Sequence, residues 1–556
     1  MILESDSVWK EAIEQKLHRL QDGLGKVATH LSLGDILDHS DDASEQAAES
    51  PDASRSTNVS PQGEDQAPQN FEIVMDPDAG PAAIPGSVVS PVLTFAVGQS
   101  RADQDIVTRG ILSLEEAQSF LNVYQDRLDH FLYRIIGDRR TLSQVRAASS
   151  LLLSAICAVG SLHLASAAFE KCYQEFVSIA AAQTFSRRNN ADDIRGLCVG
   201  AFWLSGISWT CIGAAARIST DIQLHRSIFK ALQGDRKHYL RTRLYYLVYV
   251  CDHHFSVPYG RPPMTREDDA VRAASQFLET ENAVEDDARL VSQVLFWSVG
   301  SDIYRTFGVD VDRPLDLSMV EPLRRFAIRL DNIRADWTER FAYNKFVGNY
   351  PRKGVGLHYH FAKLYLYSMA FRGIGKVGFM APDVALDIDE IANSAVLSAT
   401  AILRAVVSDS EIQTYLNGLP TYFDVMIAFA VVFVLKVSTK YSTSVRVDVS
   451  EIQTLVRDLV DVLKNVTASM HPRHLLVSVA RGAQTLLERC CPSEAQLPSN
   501  AHVTMAQPTF DEELYDMSSA WNGSSFDNFS MGEFDFLSNQ DLFNNLQPDL
   551  QYQTIP

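Results

Sequence analysis

Across residues 105–492 apolar side chains return every three or four positions, and strict alternation of apolar and polar residues is nearly absent. A period near 3.6 lines such residues along one face of a helix, whereas a strand needs a period of two. The spacing predicts helices over 114–133, 143–169, 194–204, 213–224, 239–255, 289–307, 320–341, 357–371, 388–408, 422–438, 449–467 and 475–489. Start signals agree with it. Ser113 with Glu116 three residues on is a capping box, and Thr421 stands as an N-cap before an apolar run. That run, 425–435, is bracketed by Asp424 and Lys436; it is too short to span a bilayer and reads as a buried helix. No repeat of fixed period emerges, which argues against a regular solenoid. The fold class is therefore all-α, with one large multi-helix domain over 105–492.

The flanking segments follow other patterns. Ile13, Leu17, Leu20, Leu24, Val27 and Leu31 are spaced 4-3-4-3-4, the seam of a short coiled coil over 1–33 that would make the chain a homodimer. Gly23 and Gly25 each weaken such a helix by about 1 kcal/mol, and a single amphipathic helix packed on the chain's own body is the rival reading. Residues 34–104 are rich in Ser, Asp, Glu, Ala, Gln and Pro, with Arg55 the only basic residue before Arg101. They carry too little apolar surface to offset the entropy of ordering and read as a disordered linker. Residues 493–556 contain no lysine or arginine. There Phe526, Phe529, Phe534, Phe536, Leu537 and Phe543 are interleaved with Asp527, Glu533, Asp535 and Asp541. Repulsion between the acids keeps the aromatic groups open to a coactivator groove, so this is an acidic activation tail in composition. Its rival is a solubilising extension.

Composition narrows the function. Of 556 residues, 46% are hydrophobic and 21% charged, which suits a globular protein. The 69 acidic against 49 basic side chains leave a formal charge of −20. A surface that grips DNA concentrates basic groups, and here arginine pairs at 139–140, 187–188 and 324–325 do not grow into a cluster. The cysteines Cys157, Cys172, Cys198, Cys211, Cys251, Cys490 and Cys491 are odd in number and never spaced C-x-x-C, so reduced and mostly buried thiols are expected.

Signals for catalysis fail one by one. Residues 373–378 match G-x-G-x-x-G, but that loop needs a strand before it and a helix after it, and neither is expected here. His358 and His360, and His471 and His474, lack the H-E-x-x-H arrangement and a third ligand, and read as surface or partly buried histidines. An all-α cyclase would need a D-D-x-x-D site; the nearest approach, Glu267-Asp268-Asp269, falls in a loop after Pro263. No enzyme is expected.

One segment carries a specific pattern. From Gly213 the chain reads GAAARISTDIQLHRS, and from Arg241 it reads RTRLYYLVYVCDHHFSVPYGRPP. This resembles the middle homology region of fungal zinc-cluster transcription factors. The matching positions are Gly213, Ala215 and Arg217; Leu224, His225 and Arg226; Arg241 and Arg243; Tyr245 and Tyr246; Asp252; and Ser256, Gly260, Arg261 and Pro262. The two tyrosines replace the family's usual tryptophan pair. Residues 151–164 and 357–371 are similar to its earlier and later helices, and within the family the layout resembles the leucine-biosynthesis and secreted-protease regulators. On their own chemistry the motif residues read as scaffold: glycine and proline end a helix at 260–263, and Arg261 is expected to pair with Asp252 beneath that loop.

The resemblance implies a nuclear regulator of RNA polymerase II transcription, an activator given the tail. It also implies a six-cysteine cluster with two zinc ions as DNA reader, ahead of the linker and coiled coil. No cysteine here precedes Cys157, so no cofactor is expected in this chain, zinc entering only with such a cluster. DNA would then be reached through a cluster absent from this chain, or indirectly through a partner; a coactivator would take the tail, and no membrane partner is expected. The alternative is a corepressor or scaffold that joins a DNA-bound factor.

Overall fold

A computed structural model describes residues 104–186, 188–308, 310, 315–372, 382–440, 445 and 447–490, together with His18 and Arg19. The chain divides into two units, Met1–Ala83 and Ile84–Pro556. In the first only His18 and Arg19 are described, as helix. The seam residues Ile13, Leu17, Leu20, Leu24 and Val27, the linker over 34–103, the G-x-G-x-x-G stretch and the tail all lie outside the described residues.

The described residues of the second unit form helices joined by turns and loops, as the apolar spacing requires; among them one isolated bridge, Asn344 to Gly348, is all the β structure there is. Its helices run α1 Leu114–Val123, α2 Leu142–Ala148, α3 Ser150–His163, α4 Phe169–Gln183, α5 Ala191–Trp203 and α6 Ser208–Asp221. Next come α7 Ile228–Ala231, α8 Arg236–Ser256, α9 Asp269–Arg272, α10 Ala274–Phe277, α11 Glu285–Phe307 and α12 Leu317–Arg340. The last are α13 Tyr350–Tyr367, α14 Pro382–Ser408, α15 Ser410–Tyr415, α16 Thr421–Lys440, α17 Val449–Thr467 and α18 Leu475–Cys490. The capping box at Ser113 forms: its hydroxyl accepts from the Glu116 N–H at 3.1 Å, and Glu116 accepts from the Ser113 N–H at 2.8 Å.

The predicted helix over 143–169 is instead two helices broken at Ser149. That residue is extended (φ −166°), its hydroxyl accepts from the Leu152 N–H at 3.1 Å and donates to Asp193 at 2.6 Å. The extended backbone ends α2, the bond to the Leu152 N–H caps α3, and the bond to Asp193 ties the break to α5. α4 was not expected as a separate element; it packs on α3 after a turn at 164–168. Thr421, expected to precede the helix, is instead the first residue of α16, and its hydroxyl donates to the Phe202 carbonyl at 3.1 Å, tying α16 to α5.

Helices α1 and α3–α6 pack on one another, as do α12–α14 and α16–α18, and α8 packs on α5, α6 and α11. Close approach in the first group rests on glycine. A Cβ on Gly160 would lie 2.5 Å from the Phe120 carbonyl oxygen, and one on Gly196 would lie 2.9 Å from Leu152 backbone atoms. α8 lies at the centre, with every residue from Thr242 to Ser256 buried. Buried too are Cys157, Cys172, Cys198, Cys211 and Cys251, as expected for inert thiols.

Ile388–Ser408 and Thr421–Thr439 are each long and apolar enough to cross a membrane by length and composition, the latter exceeding the short span expected from 425–435. Within this fold 56% and 89% of those stretches are buried against neighbouring helices. Their apolar surface is thus largely covered by α14, α16, α17 and α18 packing together.

Candidate functional site

The motif residues converge on α8 and the turn that follows it. Buried polar groups are costly without partners; Thr242 and His254 of α8 have none for their side chains among the described residues, but the buried polar groups of the motif do. Arg243 donates to Asp287 on α11 and to the Tyr133 carbonyl. Asp287 also accepts from the Tyr239 hydroxyl and from the Val284 N–H at 2.9 Å. Arg241 donates to the Ile222 carbonyl and to the Ser227 hydroxyl at 3.0 Å, fastening α8 to the end of α6. Arg217 pairs with Asp221 at 2.8 Å and donates to the Thr184 carbonyl at 2.8 Å.

The tyrosines hold the segment after the turn. Tyr245 donates to Asp268 at 2.7 Å, Tyr246 to the Ala270 carbonyl at 2.6 Å, and Tyr249 to Glu267. Burial and the neighbouring acids Asp268 and Glu267 push these phenols above their ordinary range, so they act as donors throughout physiological pH. The three acids 267–269 are therefore occupied. Glu267 also accepts from Ser298 at 3.0 Å, Asp268 caps α9 through the Ala270 N–H at 3.0 Å, and Asp269 pairs with Arg272 at 2.6 Å. His225 lies with its ring 6.3 Å from that of Tyr245. Gly213 faces Met264, where a Cβ would make ordinary contact at 3.5 Å to the sulfur.

The turn itself departs from expectation. Gly260 takes the left-handed conformation (φ 65°) that ends the helix, and Pro262 follows in an extended stretch. Asp252 does not pair with Arg261. It accepts from the Ser256 hydroxyl at 3.0 Å and from both the N–H and the hydroxyl of Thr265 at 2.7 Å, clasping the returning chain. Arg261 points the other way and lies over the Trp209 ring at 4.5 Å and the Tyr259 ring at 5.4 Å. Neutral donors local to Asp252 occupy its carboxylate, so the guanidinium is left to lie against aromatic faces.

The histidine pairs are more deeply placed than expected. His358 is buried and near-parallel to Tyr422 at 5.5 Å; burial pushes it down to about 3. His474 is buried against His163 at 5.4 Å and is pushed down to about 3 for the same reason. His360 and His471 are partly exposed. Neutral imidazoles pack as aromatic rings, which is why these sites are interior. Among the described residues no group of three or more His, Cys, Asp or Glu is placed to hold a metal ion.

Sequence reasoning missed Asp287, Tyr239 and Thr265, which complete the motif's bonds, and Trp209, which carries Arg261. It also passed over a basic corner. Lys230, Arg236 and Lys237 are exposed where α7 meets α8, beside exposed Phe229, Leu232 and Leu240. A scan for arginine pairs overlooks it because the lysines and arginine are brought together by the turn at 232–235.

Comparison with known proteins agrees with the motif. Residues 110–485 match the family model of the middle domain of the transcriptional activator of proteases prtT. The chain is 37% identical over 398 residues to the transcriptional activator of proteases prtT of Emericella nidulans, covering 70% of this chain and 60% of that protein. It is 26% identical over 222 residues to protein priB of Lentinula edodes, covering 38% of this chain and 37% of that one. The chain thus spans somewhat under two thirds of the length of the first relative and much less of the second. No solved structure matches. With the motif at 213–263 seated in an all-α domain and the family model matched across 110–485, the chain belongs to the prtT-like middle-domain family, a middle homology region of fungal transcription factors.

Proposed function

We propose that the chain is a nuclear activator of RNA polymerase II transcription, in which 105–492 is a regulatory domain, 1–33 a dimerising coiled coil, 34–104 a linker and 493–556 an activation tail. The observation that carries this reading is the family match over 110–485 to a domain named for a transcriptional activator. The composition of the tail supports the sense of regulation, since it sets six large apolar groups among acids with no basic residue to neutralise them. DNA is reached through a zinc cluster or through a DNA-bound partner. The motif's buried polar groups Arg243, Tyr245, Tyr246, Asp252 and Ser256 are engaged within the fold, which suits a regulatory scaffold better than a catalytic centre.

Residues 508–548 fused to an unrelated DNA-binding domain should activate a reporter without the helical domain. Replacing Phe526, Phe529, Phe534, Phe536, Leu537 and Phe543 by alanine should abolish that activity, because these side chains provide the contact area. Replacing the acids by asparagine should lower it gradually. An alanine variant as active as its parent rejects the activation tail and favours the corepressor or scaffold reading. That alternative is tested separately by expressing the chain alone in a foreign nucleus, where chromatin occupancy excludes it.

The dimer is tested at its seam. Glutamate at Leu17 and Leu20 would bury unpaired charge between two helices and should convert dimers to monomers in light scattering. Equal masses for parent and variant exclude the seam formed by Ile13, Leu17, Leu20, Leu24 and Val27.

A further inference from the structure

Five arginines belong to the motif, and four of them, Arg217, Arg226, Arg241 and Arg243, donate to acceptors inside the protein. Arg261 is different. Among the described residues its guanidinium meets no carboxylate and no carbonyl, only the faces of Trp209 and Tyr259. It does so on the wall of a cleft. α5 and α6 meet at a bend of 118°, and the bend opens a space of about 260 Å³ against the end of α8. Phe255, Val425 and Leu475 supply apolar wall, and Ser205 and Thr210 supply hydroxyls that bond to no other described residue. None of the lining residues is acidic.

We propose that this cleft binds a small organic carboxylate, its carboxylate taken by Arg261 and its apolar body laid against Trp209 and Phe255. Three features argue for an anion. Arg261 stands exposed on the cleft wall with no carboxylate among the described residues bonded to it, so its charge is open to an incoming anion. Two ring faces lie within 5.4 Å of the guanidinium carbon while its N–H groups bond to no described residue, and a free fork of this kind can take a carboxylate by two parallel hydrogen bonds. Thr210, on the first turn of α6, adds a hydroxyl donor to the same wall. An apolar body is required by the rest of the wall, and Trp209, 43% exposed, is left with an open face. The volume lies just below the range of about 300–1,000 Å³ usual for small-molecule sites, which limits the ligand to a small one. Nothing in this argument depends on the transcriptional reading.

Phenylacetate, acetate, phenylacetamide and inorganic phosphate serve as probes of the full-length chain, with heat of binding as the readout. Phenylacetate should bind saturably. Phenylacetamide, which keeps the ring and loses the charge, and acetate, which keeps the charge and loses the ring, should each bind at least about tenfold more weakly, one decade being the scale of a single good interaction. R261Q and W209A should weaken phenylacetate by a similar factor, and R261K should fall between R261Q and the parent, a lysine keeping charge without the two-point fork. Because Arg261 and Trp209 are exposed, these variants should keep the parent's helical circular dichroism and melting temperature, so a loss is not unfolding. Absence of saturable phenylacetate binding, equal binding of phenylacetamide or inorganic phosphate, or undiminished binding to R261Q overturns the proposal.

Discussion

Asp287→Ala should cost the helical domain about 3–5 kcal/mol, the scale for removing one partner of a buried ion pair. Asp287 is wholly buried and Arg243 nearly so. Three donors end on that carboxylate: the Arg243 guanidinium, the Tyr239 hydroxyl and the Val284 N–H. The variant strands all of them, and the guanidinium keeps only the Tyr133 carbonyl. Most domains hold only about 5–15 kcal/mol of stability in total, so the loss should be visible as a large shift of the denaturant midpoint. The same reasoning predicts the rescue. Arg243→Met together with Asp287→Leu removes both charges, and replacing a buried pair by apolar groups of similar size is often neutral. Urea unfolding followed by circular dichroism should therefore place the double variant closer to the parent than to either single one. Additive losses in the double variant would show that the two residues do not act as a pair.

Asp129→Asn should remove a pH dependence from the stability of the domain. The Asp129 carboxyl is fully buried, and burial, opposed by the Ile136 N–H and by the positive charges of Arg140 and Arg243, pushes it up to about 7; Asp286 adds to the rise. A raised carboxyl in the folded state stabilises fully below its unfolded value near 3.8. As pH climbs, the unfolded chain gives up this proton while the folded one keeps it, so stability drains away until about pH 7 and is flat beyond. Three units at 1.36 kcal/mol each put the total at about 4 kcal/mol. Asparagine carries no such proton. The variant should match the parent near pH 4 and exceed it increasingly up to pH 7. Histidines driven low by burial, such as His163 at about 4, lose stability in the acid direction instead, so the difference between parent and variant, not either curve alone, isolates Asp129. A difference that stays constant across pH 4–8 rules out titration of this group.

Local rules made much of this protein legible from its residues. Helix periodicity depends on neighbours three and four positions apart, and so eleven of the twelve expected helices each overlap an observed one, Val449–Thr467 at identical bounds, while 143–169 divides at Ser149. The Ser113–Glu116 cap forms because both bonds lie within one turn. The motif at 213–263 pointed to the family for a similar reason, its residues being close in sequence. The sequence likewise marked 425–435 as interior from its unbroken apolar run.

What the tertiary structure alone decided is the choice of distant partners. Ser149, where a helix expected to be continuous breaks, donates its hydroxyl to Asp193, 44 positions away. Arg243 finds Asp287, also 44 positions on, across the packed faces of α8 and α11. Arg261 stacks on Trp209 and leaves Asp252 to Thr265 because the bend between α5 and α6 brings the indole beneath it. Side-chain spacing along one helix says which face a residue shares; it says nothing of which other helix that face will meet. That is set by how eighteen helices bury their apolar stripes together, a property of the whole chain, and with it came the buried network, the deep histidines and the cleft.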